Sequence, residues 1–166
     1  KNAIMLDEFP GLTIGGWVLR PESRGSCHAS SAAPSAAPAI QFNYLGTQTD
    51  VIDAVNLLHT FRNMFRQPSL AALVEYENPP FRDVSDDFDT LAELCREIGC
   101  SGDHPIGTCR MGGHEQSVVD PQLRVRGVSG LRVADASVMP QLISGNTNAA
   151  CMMIGEMASN FILKPV

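Results

Sequence analysis

The chain has 166 residues, of which 44% are hydrophobic, and a formal net charge of −6. That length and apolar content suffice for a buried core. The acidic balance and the absence of a Lys/Arg run speak against a nucleic-acid or anionic-membrane partner. No apolar stretch approaches the roughly 20 residues of a membrane span. The opening "KNAIMLDEFPG" has no signal-peptide pattern and no initiating Met, and it reads like the middle of a chain. A fragment or processed subunit is the expectation.

In chain order, residues 26–38, "SCHASSAAPSAAP", read as a surface connection. "AIQFNYL", residues 39–45, alternates apolar and polar residues and predicts a half-buried strand. Residues 47–68, "TQTDVIDAVNLLHTFRNMFRQP", predict a helix. Thr49 can cap it, with Asp50 and Asp53 in its first turn against the helix dipole. Val51, Ala54, Val55, Leu58, Phe61 and Phe65 share one face, and Pro68 ends or restarts the helix. His59, inside this helix, is assigned no chemistry. A second helix is expected from Ser85, with Asp86, Asp87 and Asp89 in its first turn as dipole caps rather than calcium ligands. Its buried stripe is Phe88, Leu91, Ala92, Cys95 and Ile98, with Gly99 as the residue that ends it.

Turns and short strands are expected beyond residue 100. "GLRVAD", residues 130–135, predicts a buried strand ending at Asp135. "NTNAACMMIGEMASNFIL" predicts a helix apolar nearly all round, capped by Asn146 or Thr147 and buried in something larger. The expected division is residues 1–100 and residues 101–166.

Cysteine and histidine spacing excludes some chemistry. Cys27, Cys95, Cys100, Cys109 and Cys151 are odd in number and form no C-x-x-C. A closed zinc site or disulfide framework is therefore disfavoured, and scattered buried thiols in a reducing compartment are preferred. His28, His59, His104 and His114 show no H-x-x-x-H spacing. No metal is expected.

Two stretches can carry chemistry. In "SGDHPIGTCRMGG", residues 101–113, Pro105 and Gly107 hold His104 rigidly. Its own stretch leaves a zinc ligand, a base and an ordinary loop residue open. Near the C-terminus, a strand end, a loop and the start of an apolar helix make an anion-receiving geometry. Free N–H groups at residues 146–149 would suit a phosphate or the electron-rich edge of a flavin, unless local caps satisfy them.

"HPIGTCRMGG", "VVDPQLRVRGVSGLRVADASVMP" and "SGNTNAACMMIGE" together resemble the C-terminal signature of the glucose–methanol–choline (GMC) oxidoreductases, in the choline dehydrogenase-like branch. "RPESRG" at 20–25, "PAIQFNYL" at 38–45 and "RQPSLAAL" at 66–73 resemble that family's substrate-domain segments. The resemblance implies an α+β fold: a partial substrate-domain antiparallel sheet with flanking helices, then the last strand and buried helix of an FAD-binding α/β domain. It implies FAD as cofactor and oxidation of a small-molecule alcohol to an aldehyde or ketone. His104 would be the base while hydride goes to flavin N5, and Asn146 would orient the substrate oxygen. Asp135 and Ala136 would approach the pyrophosphate and ribityl region. Backbone N–H groups near Thr147 and Asn148 would face the flavin pyrimidine edge. Cys109 and Met111 are read as packing, and His114 as solvated.

The family's G-x-G-x-x-G fingerprint is absent from these residues. The remainder of a parent chain is therefore an expected partner, and the fragment alone is expected to be inactive. A hydroxynitrile-lyase-like activity and a non-catalytic truncated module are the alternatives. The electron acceptor, oxygen or a quinone, stays open. The expected location is cytoplasmic, with membrane association through the acceptor as a variant.

Overall fold

A computed structural model describes residues 10–164. The reading of residues 1–9 as lacking a signal peptide lies outside them. Two short strands come first, β1 (Ser26–His28) and β2 (Ala39–Gln41). Then follow α1 (Gln48–Phe65), α2 (Pro68–Ala71), α3 (Phe88–Ile98), a 3-10 turn (Ala136–Val138) and α4 (Asn148–Leu163).

β1 and β2 pair antiparallel, with Ser26 opposite Gln41 and His28 opposite Ala39. All six residues are exposed. The half-buried strand expected over 39–45 is therefore shorter, and no layer covers it among the described residues. Phe42 and Tyr44 stack on each other beyond its end, with ring centroids 5.0 Å apart. The stretch read as a connection supplies β1, and only its middle, closed by Ser30 Oγ donating to Ala37 O, is loop.

α1 is capped by Thr47, not Thr49: the Thr47 side chain accepts from Asp50 N. Asp50 is not a solvent-facing dipole charge. It is buried and accepts from Glu22 N at 2.7 Å, Ser23 N at 2.9 Å and the Ser23 hydroxyl. Ser23 Oγ in turn accepts from Gly46 N and Thr47 N. Burial pushes the Asp50 carboxyl up, but the hydrogen bonds from Ser23, Glu22 and Thr47 outweigh it and leave it below 3.8. This knot fastens the "RPES" segment to the start of α1. Pro68 opens α2 as its first residue, as expected.

Val51 and Val55 of α1 pack on Leu91, Ala92 and Leu94 of α3, with Leu45, Leu58, Phe81 and Val84 at the margin. α3 starts three residues later than expected, with Asp87 capping Thr90 N at 3.0 Å. Phe88 and Ile98 are exposed rather than buried, and Leu94 joins the buried stripe. Gly99 does not end α3 in the left-handed form; its φ is −57°. Asp86 lies outside the helix and bridges Arg62 and Arg66.

Hydrogen bonds from Arg66 and then Arg62 hold Asp86 at about 2, below its usual 3.8. A folded value below the unfolded one stabilises the protein above about pH 3.8, and that stabilisation is lost as pH falls through about 2. Asp86→Asn in the full-length protein is therefore expected to lower the urea midpoint near neutrality. The gap from the parent should close at about pH 2. A gap that persists unchanged in acid would count against the Arg62–Asp86–Arg66 bridge.

A second apolar cluster joins Val119, Leu123, Val138 and Met139 to Ile154 and Ala158 of α4. Residues 109–133 run as a chain of single bridges, Met111 with Val119, Val119 with Val125 and Arg124 with Arg132. "GLRVAD" therefore forms no strand: Leu131 is 49% exposed, and its segment makes one bridge. Leu123 is buried with φ +66°. The Asp120 side chain holds that turn by accepting from Gln122 N and Arg124 N. The α4 faces carrying Met152, Met153, Met157, Ile162 and Leu163 are exposed in this chain, although its sequence is apolar nearly all round.

Residues 16–20 touch both clusters' surroundings. Gly16 lies against the Phe61 ring, where a Cβ would come within 2.7 Å. Trp17 lies against Gly102, and Arg20 Nε donates to Ser144 Oγ at 3.0 Å.

Candidate active site

His104 projects from an irregular segment whose course is set by backbone turns. Asp103, just before it, has φ +58°, and its N–H donates to Ser101 Oγ at 3.0 Å. Gly107 has φ +85°, a left-handed position that a side chain would strain. Cys109 N then donates to Ser137 O at 3.0 Å and Met111 N to Val138 O at 2.8 Å. The histidine segment is thus fastened to the 3-10 turn, which Asp135 caps by accepting from Ser137 N at 2.8 Å.

These ties set the imidazole at the start of α4. His104 Nε2 lies 3.0 Å from Asn146 Oδ1, across 42 residues of chain. His104 Nδ1 lies 3.1 Å from Thr147 Oγ1. The ring is half-buried, Asn146 is exposed, and Thr147 is buried. Both ring nitrogens are therefore engaged, one towards the surface and one inward.

The expected capping of α4 by Asn146 or Thr147 is not what forms. Thr147 occupies the cap position with φ −77° and ψ −10°, and its side chain makes no cap hydrogen bond. A capping side chain needs extended backbone to reach back to the helix amides. Thr147 has helical backbone instead, and its hydroxyl meets His104. The helix forgoes a cap worth about 1 kcal/mol. Cys151 N is bonded to Thr147 O at 2.9 Å, so the amides of residues 148–150 precede the helix's own acceptors.

An uncapped helix start beside an exposed amide and an imidazole can receive a group with negative polarisation. The edge of a flavin fits that description, and Asn148 and Ala149 are exposed there. Asp135 is also exposed, Ala136 is half-buried against the second cluster, and the Asp135 hydrogen bond serves its own turn. The described structure shows no hydrogen bond from either residue to His104 or Asn146.

The other histidines face no such partner. His59 Nε2 is 3.1 Å from Asp86 O, His114 Nδ1 is 3.4 Å from Ser117 Oγ, and His28 lies on exposed β1. Among the described residues no group of three His, Cys, Asp or Glu side chains could hold a metal. No described helix is long and apolar enough to cross a membrane. Cys27 and Cys100 are exposed, contrary to the expectation of buried thiols, and burial raises the Cys95 thiol.

The family model for GMC oxidoreductases matches residues 21–155, which hold His104, Asn146 and Thr147. The chain belongs to the GMC oxidoreductases. It is 40% identical over 156 residues to an alcohol dehydrogenase [acceptor] of Pseudomonas putida, covering 94% of this chain and 28% of that protein. It is 41% identical over 144 residues to an oxygen-dependent choline dehydrogenase of Escherichia coli, covering 87% of this chain and 25% of that protein. A solved FAD-dependent oxidoreductase from Chaetomium thermophilum superposes with a TM-score of 0.82 at 30% identity, over 88% of this chain and 25% of that one. The chain thus spans about a quarter of the length of the relatives it matches. The Chaetomium thermophilum protein is an FAD-dependent oxidoreductase, and a solved formate oxidase of Aspergillus oryzae, 28% identical with a TM-score of 0.81 over 93% of this chain and 28% of that one, also carries FAD.

Nothing local in the sequence points the Thr147 side chain at His104. A Thr directly after an Asn at a helix start reads as a cap, and no spacing rule points it at a residue 43 positions earlier. Nor does the sequence mark Asp50 as the anchor of residues 22–23.

Proposed function

We propose that this chain works within a longer FAD-dependent alcohol oxidoreductase and supplies its proton-handling side chains. Residues 1–100 would belong to the substrate-binding part, and residues 101–166 to the FAD-binding part. The observation that carries this reading is the His104 imidazole held against Asn146 at the uncapped start of α4.

The substrate is a small alcohol. His104 Nε2 takes the proton of its hydroxyl as the carbonyl forms, because alkoxide character drives hydride off the carbon. Asn146 orients the substrate oxygen through its amide, which does not titrate and so cannot compete for the proton. The same amide, turned over, presents N–H to a lone pair on Nε2; O and N of an amide exchange places by a flip. Bound FAD supplies the two-electron acceptor for the departing hydride. The positive end of α4 favours negative charge on a neighbouring group. Asp135, Ala136 and the amides of Thr147 and Asn148 would be this chain's contribution to the lining of that cofactor.

The direct test is anaerobic mixing of the full-length flavoprotein with choline, benzyl alcohol and short aliphatic alcohols while the visible flavin absorbance is followed. Bleaching by at least one alcohol, with the matching carbonyl as product, is the expected result. A flavin that dithionite bleaches but no alcohol does would remove the reading. Cyanohydrin cleavage without bleaching would instead make the protein a lyase.

A further inference from the structure

We propose that Thr147 is a positioning residue for His104, and that its hydroxyl sets which ring nitrogen carries the resting proton. The inference rests on the assignment of His104 as the base.

Thr147 gives up the role its position calls for. It stands at the cap of a 16-residue helix, yet its side chain bonds no helix amide. The hydroxyl instead lies 3.1 Å from His104 Nδ1, and the residue is 8% exposed. Water therefore has little access to take its place at Nδ1.

A neutral imidazole has one N–H and one lone pair. A base acting at Nε2 needs the proton on Nδ1. That arrangement requires an acceptor beside Nδ1, and the Thr147 oxygen is the group in place. After Nε2 takes the substrate proton, both nitrogens are N–H donors. Nδ1–H still donates to Thr147 Oγ1, so the base needs no new partner as it becomes charged. With the Asn146 amide turned so that its N–H donates to the Nε2 lone pair, the Thr147 oxygen is the acceptor that Nδ1–H requires; without it, Asn146 Oδ1 favours the proton on Nε2.

Removing the hydroxyl should act on the proton step. With valine at 147, Nδ1–H loses its hydroxyl acceptor, and the ring shifts towards the tautomer with its proton on Nε2. That tautomer cannot take a proton from the alcohol. Alanine at 147 would remove bulk as well, so valine is the informative change.

The test uses the full-length flavoprotein and four variants: Thr147→Val, Thr147→Ser, His104→Ala and the double change H104A/T147V. Thr147→Val is expected to slow flavin reduction at saturating alcohol by about 10- to 100-fold, a positioning share of what a general base supplies. Flavin content and the alcohol concentration for half-saturation should hold. Thr147→Ser should recover most of the rate, because it restores the oxygen. T147V should cost nothing further in the His104→Ala background, since the two act as one unit. Independently of turnover, two-dimensional NMR of protein with nitrogen-labelled histidine should show the His104 resonances moving from an Nδ1–H to an Nε2–H pattern in Thr147→Val. Loss of those resonances in His104→Ala makes the assignment.

A Thr147→Val enzyme with parental reduction rate, or one whose loss adds fully to that of His104→Ala, would overturn the proposal. So would a serine variant as slow as valine at equal flavin content. If His104→Ala itself reduces flavin at the parental rate, the base assignment has failed, and the proposal falls with it for that separate reason.

Discussion

Replacing His104 with alanine in the full-length flavoprotein is expected to lower the rate of flavin reduction by alcohol by about 10²- to 10⁴-fold. That is about 3–5 kcal/mol of transition-state stabilisation, at 1.36 kcal/mol per decade. The effect should fall on the rate at saturation rather than on alcohol binding, because proton transfer belongs to the transition state. The geometry explains why one side chain carries so much. No other described histidine meets an amide and a hydroxyl at a helix start. Water can take up an alcohol proton, but it does so without orientation, and the oriented base is what alanine removes. Stopped-flow reduction under anaerobic conditions is the measurement. A variant that keeps both its flavin and its parental reduction rate would dismiss His104 as the base.

Arg62→Ala should give the largest loss of stability. Arg62 is 8% exposed. It holds Glu77 with two hydrogen bonds of 2.9 and 2.8 Å, reaches Asp86 Oδ1 through Nη1 and donates to Phe81 O at 3.3 Å. Burial pushes its pKa down, but its hydrogen bonds to the Glu77 and Asp86 carboxylates outweigh that and raise it. One side chain of α1 thereby gathers three points of the segment that leads into α3. Breaking a buried ion pair costs about 3–5 kcal/mol when both partners are buried. Glu77 and Asp86 are partly exposed here, and Arg66 stays on Asp86. The expected cost is therefore about 2–3 kcal/mol after screening by water. Amides of α1 and α3 that exchange through joint opening of the two helices should then exchange about 30- to 150-fold faster, at 1.4 kcal/mol per decade. Hydrogen-exchange mass spectrometry of the full-length protein reads this directly. Unchanged protection in residues 48–65 and 88–98 would mean that the α1–α3 contact stands without the clamp.

The parts of the fold written in local pattern were readable in advance. α1 repeats apolar residues every three or four positions, and Val51 and Val55 are buried as that spacing requires. Pro68 starts a helix because its missing N–H is not needed there. Features decided by distant partners were not readable. Asp50 looks like any acid at a helix start, and only the folded chain brings Glu22 and Ser23 onto it. Phe88 and Ile98 fit the stripe of α3 by spacing, but they lie at its two ends, outside the α1 contact. "GLRVAD" has strand composition, yet a strand needs a neighbour along its length, and its segment makes only the Arg124–Arg132 bridge.

The site divides in the same way. By itself, the sequence determined the residue types: a histidine held by Pro105 and Gly107, and an asparagine before an apolar helix. Their order along the chain matched a family of flavin enzymes. Only the tertiary structure decided that the 3-10 turn carries the histidine segment to the head of α4. It also decided that His104 sits between Asn146 and Thr147. Residue type and local turn preference are properties of a few neighbouring positions. A hydrogen bond across 42 residues depends on every element that closes the loop between them.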